Sequence, residues 1–171
     1  GVGRTGTFSM SEHLGATPDL IALAKSLGAG VPVSGVLVDD AVAETVETGD
    51  QGSTFGGGML AMAAVDATLK TLVEDDLMAR ATEIHAQVAD AVGPVVDEVR
   101  GRGCLMGLKL DRPVEPVIDA LRDQNVLVGG SSDPHVMRLM PPLVVSDEDI
   151  DAFVDALHTA LDATAAPAGA R

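Results

Sequence analysis

Pro18-Asp19-Leu20-Ile21-Ala22-Leu23-Ala24-Lys25-Ser26-Leu27-Gly28-Ala29-Gly30-Val31-Pro32 carries one ammonium out of an apolar run and into a turn of small residues. Only three of the chain's 11 Lys and Arg residues are lysines, and Lys25 lies where a solvated lysine has little reason to be. Flanked by Leu23, Leu27 and Val31, its amine is expected to be partly desolvated. Desolvation disfavours the ammonium and leaves a neutral amine able to attack a carbonyl carbon. Gly28, Ala29 and Gly30 admit a flat ring and neighbouring backbone. The ordinary alternative is a solvated lysine with a snorkelling stem. The apolar flanks make Lys25 instead a candidate covalent anchor for an aldehyde cofactor.

Around that stretch, residues 20–27 read as an apolar segment ending at glycines and residues 33–38 as a short buried strand. Asp39-Asp40 starts a polar helix expected to run to about Glu47, and residues 49–58 form a glycine-rich loop. Residues 59–73 are apolar around most of a helical circumference, the pattern of a helix buried on several sides. From residue 74 the chain turns amphipathic. Leu77, Ala81, Ile84, Val88, Val92, Val95 and Val99 predict a long helix perturbed at Gly93-Pro94. A strand over 104–110, a helix over 116–125, strands over 126–128 and 136–140 and a last helix over 147–161 follow. Ser146 is its expected N-cap, with Asp149 completing an imperfect capping box. The domain expectation is a first part over 1–73, a small α/β or α+β domain over 74–163 and a disordered tail over 164–171.

Composition excludes several classes. With 171 residues of which 46% are hydrophobic, the chain can bury a core. A net charge of −15 and no basic face argue against a nucleic-acid partner. The single Cys104 permits no internal disulfide and no span of about 20 apolar residues appears, so a cytoplasmic protein with no membrane partner is expected. His13, His85, His135 and His158 lack metal-site spacing, and no metal is expected. Gly1-Val2-Gly3-Arg4-Thr5-Gly6 matches G-x-G-x-x-G, with Asp19 near the place of a ribose-binding acid. Its context argues against a nucleotide site, because Gly15 and Pro18 interrupt any following helix. The same turn has no strand before it, so the chain is expected to begin in mid-domain.

Two further candidates carry polar chemistry. Ser53-Thr54 stands between Gly52 and Gly56-Gly57, where hydroxyls and free amides can donate several hydrogen bonds to an anion, the alternative being an ordinary surface loop. Arg138 lies within Val136-Met137-Arg138-Leu139-Met140, where a guanidinium must be paired or held at a cleft to offset its desolvation. Its planar fork suits a carboxylate, and the alternative is a structural salt bridge.

Gly3-Arg4-Thr5-Gly6, Glu12-His13, Pro18-Asp19-Leu20 leading to Ala24 through Pro32, and Gly52-Ser53-Thr54-Phe55-Gly56-Gly57 together resemble the class III pyridoxal-phosphate aminotransferases. Arg100-Gly101-Arg102-Gly103 and Met137 through Leu143 fit the C-terminal domain of the acetylornithine and ornithine aminotransferase branch. The resemblance implies a fold-type I enzyme, an α/β architecture with the C-terminal part of the cofactor-binding large domain followed by the small domain. It further implies that Lys25 bonds to pyridoxal 5'-phosphate and shuttles a proton at the substrate carbon. Ser53 and Thr54 would receive the cofactor phosphate, Thr54 reaching the neighbouring subunit's site in a homodimer, and Arg138 would bind the substrate carboxylate. The implied reaction moves an amino group from N-acetylornithine, ornithine or a similar ω-amine to 2-oxoglutarate, as in arginine biosynthesis. Other class III donors (4-aminobutyrate, succinylornithine, the LysW-type lysine pathway) and a non-catalytic relic of the fold remain open. Gln51 and Gly58-Met59 depart from the family's usual His and Asn-Pro.

In that family the aspartate facing the pyridine nitrogen precedes the position of Gly1. Expressed alone, the 171 residues are therefore expected to show little or no transamination with pyridoxal phosphate and 2-oxoglutarate, and robust turnover in that assay would contradict the expectation.

Overall fold

A computed structural model describes residues 1–165, and these divide into two compact units, one ending at Met78 and the other beginning at Ala79. The division falls after Met78 rather than after Val73. Of the expected tail over 164–171, residues 166–171 lie outside the described residues, while Thr164 caps the last helix.

The first unit opens on a turn in which Val2, Gly3 and Gly6 have positive φ, so the glycine pattern at the start builds turns. It leads into α1 (Met10–Leu14), a five-residue helix with a full capping box. Ser9 accepts from the Ser11 amide, Glu12 accepts from the Ser9 amide at 2.8 Å, and Gly15 ends the helix in the left-handed region. Then come β1 (Leu20–Leu23), a 3-10 turn over Lys25–Gly28, and β2 (Gly35–Val38). The strands pair antiparallel in the register Leu20↔Val38 through Leu23↔Gly35. The segment read as a buried strand over 33–38 is shorter and largely exposed, with Val36 59% accessible. The polar helix is also short: Asp39 caps α2 (Asp40–Ala43), and turns replace its expected continuation to Glu47. After the glycine-rich loop, α3 (Met59–Glu74) forms as its periodicity requires. Of its apolar residues only Leu72 is buried among the described residues, and Met59 is 90% accessible, against the expectation of burial on several sides.

The second unit closes a core of its own. α4 (Leu77–Val92) enters it and ends in a 3-10 turn at Gly93–Val95, as the Gly-Pro pair predicts. β3 (Glu98–Arg102), β4 (Leu105–Lys109) and β5 (Val136–Leu139) form an antiparallel sheet in that order, with α5 (Glu115–Asp123) and α6 (Asp147–Ala163) packed on each other. The mixed α/β class holds, though both sheets are antiparallel. Val99, expected on the long helix, lies on β3, which the sequence reading missed. Residues 126–128, expected as a strand, make no ladder, and just beyond them Gly129 forms an isolated bridge with Arg138 of β5. Ile84 and Val88 of α4, Met106 and Leu108 of β4, Leu121 of α5, Met137 of β5 and Leu157 of α6 are all but inaccessible. Each such side chain contributes about 1.5–3 kcal/mol on burial. Cys104 joins them as a buried thiol. Among the described residues, no helix is long and apolar enough to cross a membrane.

Polar clamps hold this unit's periphery. Arg80 Nη2 donates to Asp147 Oδ1 at 2.6 Å and to the Val145 carbonyl at 3.2 Å, fastening α4 to the start of α6. Ser146 Oγ accepts from the Asp149 amide at 3.1 Å and donates to Asp149 Oδ2 at 2.9 Å, so the imperfect capping box closes between side chains. His85 hydrogen-bonds through Nδ1 to the Gly103 carbonyl at the β3–β4 turn.

The Arg80 hydrogen bond, aided by Gln87, holds the Asp147 carboxyl below its ordinary value. A depressed carboxyl stabilises the fold above the unfolded value near ~3.9 and ceases to as pH falls through the folded value. Asp147→Asn is therefore expected to flatten the acid limb of the unfolding-versus-pH curve. Gly101 has φ +103°, and a Cβ there would strike the Leu105 carbonyl. Gly101→Ala should cost about 2 kcal/mol or more in urea unfolding, against under about 1 kcal/mol for Gly93→Ala, which meets open space.

Candidate active site

Lys25 opens the 3-10 turn between β1 and β2 with φ +55°, a left-handed conformation that glycine, not lysine, adopts without strain. Ala29 repeats it at φ +46° and Gly30 follows at +111°. What holds the turn is packing beneath it. Leu23 and Leu27 are buried, Leu27 Cδ2 comes within 3.9 Å of a Cβ built on Gly35, and a Cβ on Gly28 would stand 2.5 Å from Val33 Cγ1. Any side chain at position 28 would require Val33 to shift. Ser26 Oγ donates to the Gly1 carbonyl at 3.4 Å, and His13 Nε2 hydrogen-bonds to the Thr5 carbonyl at 2.8 Å, so the opening glycine turn is tied to the Lys25 turn and to α1.

The apolar side chains thus point to the inside of the turn and Lys25 to the outside. Its side chain is exposed, and among the described residues no partner bonds to it. This corrects the expectation that Leu23, Leu27 and Val31 would shelter the amine, because the two leucines pack under the backbone. The outcome is a lysine thrust outward by a strained turn.

Ser53 and Thr54 lie on the exposed loop over 49–58. The loop ends at Gly56, where a Cβ would stand 3.0 Å from Ser53 Cβ, and at Gly57, with φ +68°. Gly58 then caps α3 with no side-chain hydrogen bond and no acid in the first turn. The first amides of a 16-residue helix are left for an external acceptor. α3 packs against the Lys25–Gly28 turn, so the helix that follows the Ser53-Thr54 loop also supports the lysine. The sequence reading found the hydroxyls but not this support, which joins residues far apart in the chain. The fit to a phosphate-bearing aldehyde is good on this unit's own terms: an outward amine, and a loop with hydroxyls and free amides.

Arg138 belongs to the second unit and sits mid-strand on β5, between buried Met137 and Leu139 but itself exposed on the opposite face. Among the described residues no acid pairs with it, so the salt-bridge alternative finds no partner. Arg100, by contrast, bonds Glu98 Oε2 at 2.8 Å and approaches Asp133 Oδ2 at 4.0 Å. Among the described residues no group of three or more His, Cys, Asp or Glu could hold a metal ion.

The Lys25 backbone yields a stability test. Lys25→Gly is expected to be at least as stable as Lys25→Ala in urea unfolding, because relief of the left-handed strain, about 1–2 kcal/mol, offsets glycine's entropy cost of about 0.5–1 kcal/mol. A clear advantage for alanine would show that the strain is absent.

Known proteins align with this geometry. The profile of the family described as Aminotransferase class-III matches residues 1–161. The acetylornithine aminotransferase of Mycolicibacterium smegmatis is 41% identical over 169 residues, 96% of this chain and 43% of that protein. That of Methanopyrus kandleri is 46% identical over 170 residues, again 96% and 43%. The crystal structure of the ornithine aminotransferase from Toxoplasma gondii ME49 superposes with a TM-score of 0.84 at 33% identity, covering 95% of this chain and 41% of that one. The chain thus spans less than half the length of these relatives.

Proposed function

The chain belongs to the class-III aminotransferases, and on that premise we propose that it is the lysine-bearing part of a transaminase that takes an amino group from N-acetylornithine or ornithine and passes it to 2-oxoglutarate. Members of this family depend on pyridoxal 5'-phosphate. The observation that carries the reading is the outward, strained Lys25 on a turn backed by the helix that follows the Ser53-Thr54 loop.

Each residue has a separate task. Lys25 Nζ would hold the cofactor and would take and return a proton at the substrate carbon that bears the amino group. Pyridoxal phosphate, when bound, supplies an aldehyde carbon and a ring that stores the electron pair left behind by that proton. Ser53 and Thr54 hydroxyls, with amides at the start of α3, would hold the phosphate, Thr54 serving the partner subunit in a homodimer. Arg138 offers its fork to the substrate carboxylate. The relatives named acetylornithine aminotransferase favour that donor and a place in arginine biosynthesis.

Borohydride reduction of the whole protein with pyridoxal phosphate, followed by peptide mapping, is expected to place the pyridoxyl group on Lys25, and Lys25→Ala to abolish both adduct and turnover. Thr54→Ala should release cofactor on dialysis about ten times more readily, the loss of roughly one phosphate hydrogen bond. An adduct at another lysine, or unchanged turnover in Lys25→Ala, would overturn the assignment.

A further inference from the structure

Arg100 on β3, Gly107 on β4 and Arg138 on β5 stand opposite one another, and Gly129 pairs with Arg138 beyond the sheet edge. The four residues form one row across the outer face, because the alternate positions Met106, Leu108, Met137 and Leu139 point into the core. Within the row the two arginines have different fates. Arg100 is paired with Glu98 and lies near Asp133, whereas Arg138 has no acid partner among the described residues and turns toward a glycine. A Cβ built on Gly129 would stand 3.2 Å from Arg138 Nη2, 3.3 Å from Nε and 3.7 Å from Cζ. The same construction on Gly107, Arg138's partner on the other side, meets Val136 and Arg100 and no atom of Arg138.

Gly129 is not a glycine for the sake of its backbone. Its φ is not among the positive ones, and it makes an ordinary bridge, donating to the Arg138 carbonyl at 3.0 Å and accepting from the Arg138 amide at 2.7 Å. What the missing side chain provides is room. The guanidinium comes to rest with its Nε–Nη2 edge nearest the place a Cβ on Gly129 would take, and Nη1 is not among the three atoms nearest that place. We propose that Gly129 is a positioning residue for Arg138: by leaving that space it sets the direction in which the guanidinium is offered, so that the substrate carboxylate docks end-on. The inference rests on the carboxylate role proposed for Arg138 and adds the residue that aims it.

A methyl group at position 129 meets only the far end of a flexible side chain, so Gly129→Ala moves the guanidinium by tenths of an ångström at little cost to the fold. In the whole enzyme, Gly129→Ala is expected to raise KM for the oxo acid about tenfold with kcat and Tm near those of the parent. A crystal structure of the variant should show the Arg138 guanidinium lifted from residue 129. Arg138→Ala, run in parallel, should raise KM further. An unchanged KM in Gly129→Ala beside a raised KM in Arg138→Ala overturns the inference and leaves the carboxylate role standing. A fall in Tm accompanying the loss of activity would assign Gly129 a structural role and also overturn it. An unchanged KM in Arg138→Ala removes the carboxylate role itself, and this inference with it.

Discussion

The contact between the empty side of Gly28 and Val33 governs the first unit. A Cβ at position 28 would lie 2.5 Å from Val33 Cγ1, so any side chain there would require Val33 to shift. Closure lets Leu23 and Leu27 bury themselves beneath the backbone, and the left-handed residues at 25 and 29 accommodate the sharp reversal. Strain of this kind persists only where surrounding packing over-determines it, and here the packing is on the side away from Lys25. The amine is presented on the face opposite the two buried leucines, Leu23 and Leu27.

Arg138 reaches the surface by different means. It uses the two-residue period of a strand, which puts neighbours Met137 and Leu139 into the core and leaves the guanidinium on the outer face. The backbone entropy of fixing that position is met by the hydrophobic core of the second unit, so the arginine is held on a rigid element without needing an ion pair of its own.

How much of this could be read in advance depended on the range of the interaction. Periodicity located α4, α5 and α6, and Ser146 was legible as a cap because a cap involves residues three apart. The capping box Ser9-Met10-Ser11-Glu12 was equally local, yet the short helix it starts went unread. β3 was hidden because Glu98, Arg100, Gly101 and Arg102 look like a loop, and only pairing with β4 makes them a strand. Burial was misjudged where apolar residues were assumed to have cover: β2 and α3 show the composition of buried elements and are largely accessible. At the site, Lys25, Ser53, Thr54 and Arg138 could be singled out by residue type and neighbours. The direction Lys25 faces, the backing of its turn by α3 and the gap at Gly129 depend on contacts between distant residues and left no local mark.

The antiparallel pair β1–β2 has apolar side chains in the open, and such ribbons are templates for unwanted pairing between chains. Its open end is closed by the Asp39 amide bonding the Asp19 carbonyl, and Asp40 follows directly. Two ribbons stacked in the same sense would bring two such acidic clusters together, each on a chain already carrying −15. Repulsion between the two clusters would oppose that particular stacking. Because repulsion between exposed charges is damped beyond about 8 Å at physiological ionic strength, that repulsion would weaken as salt is added.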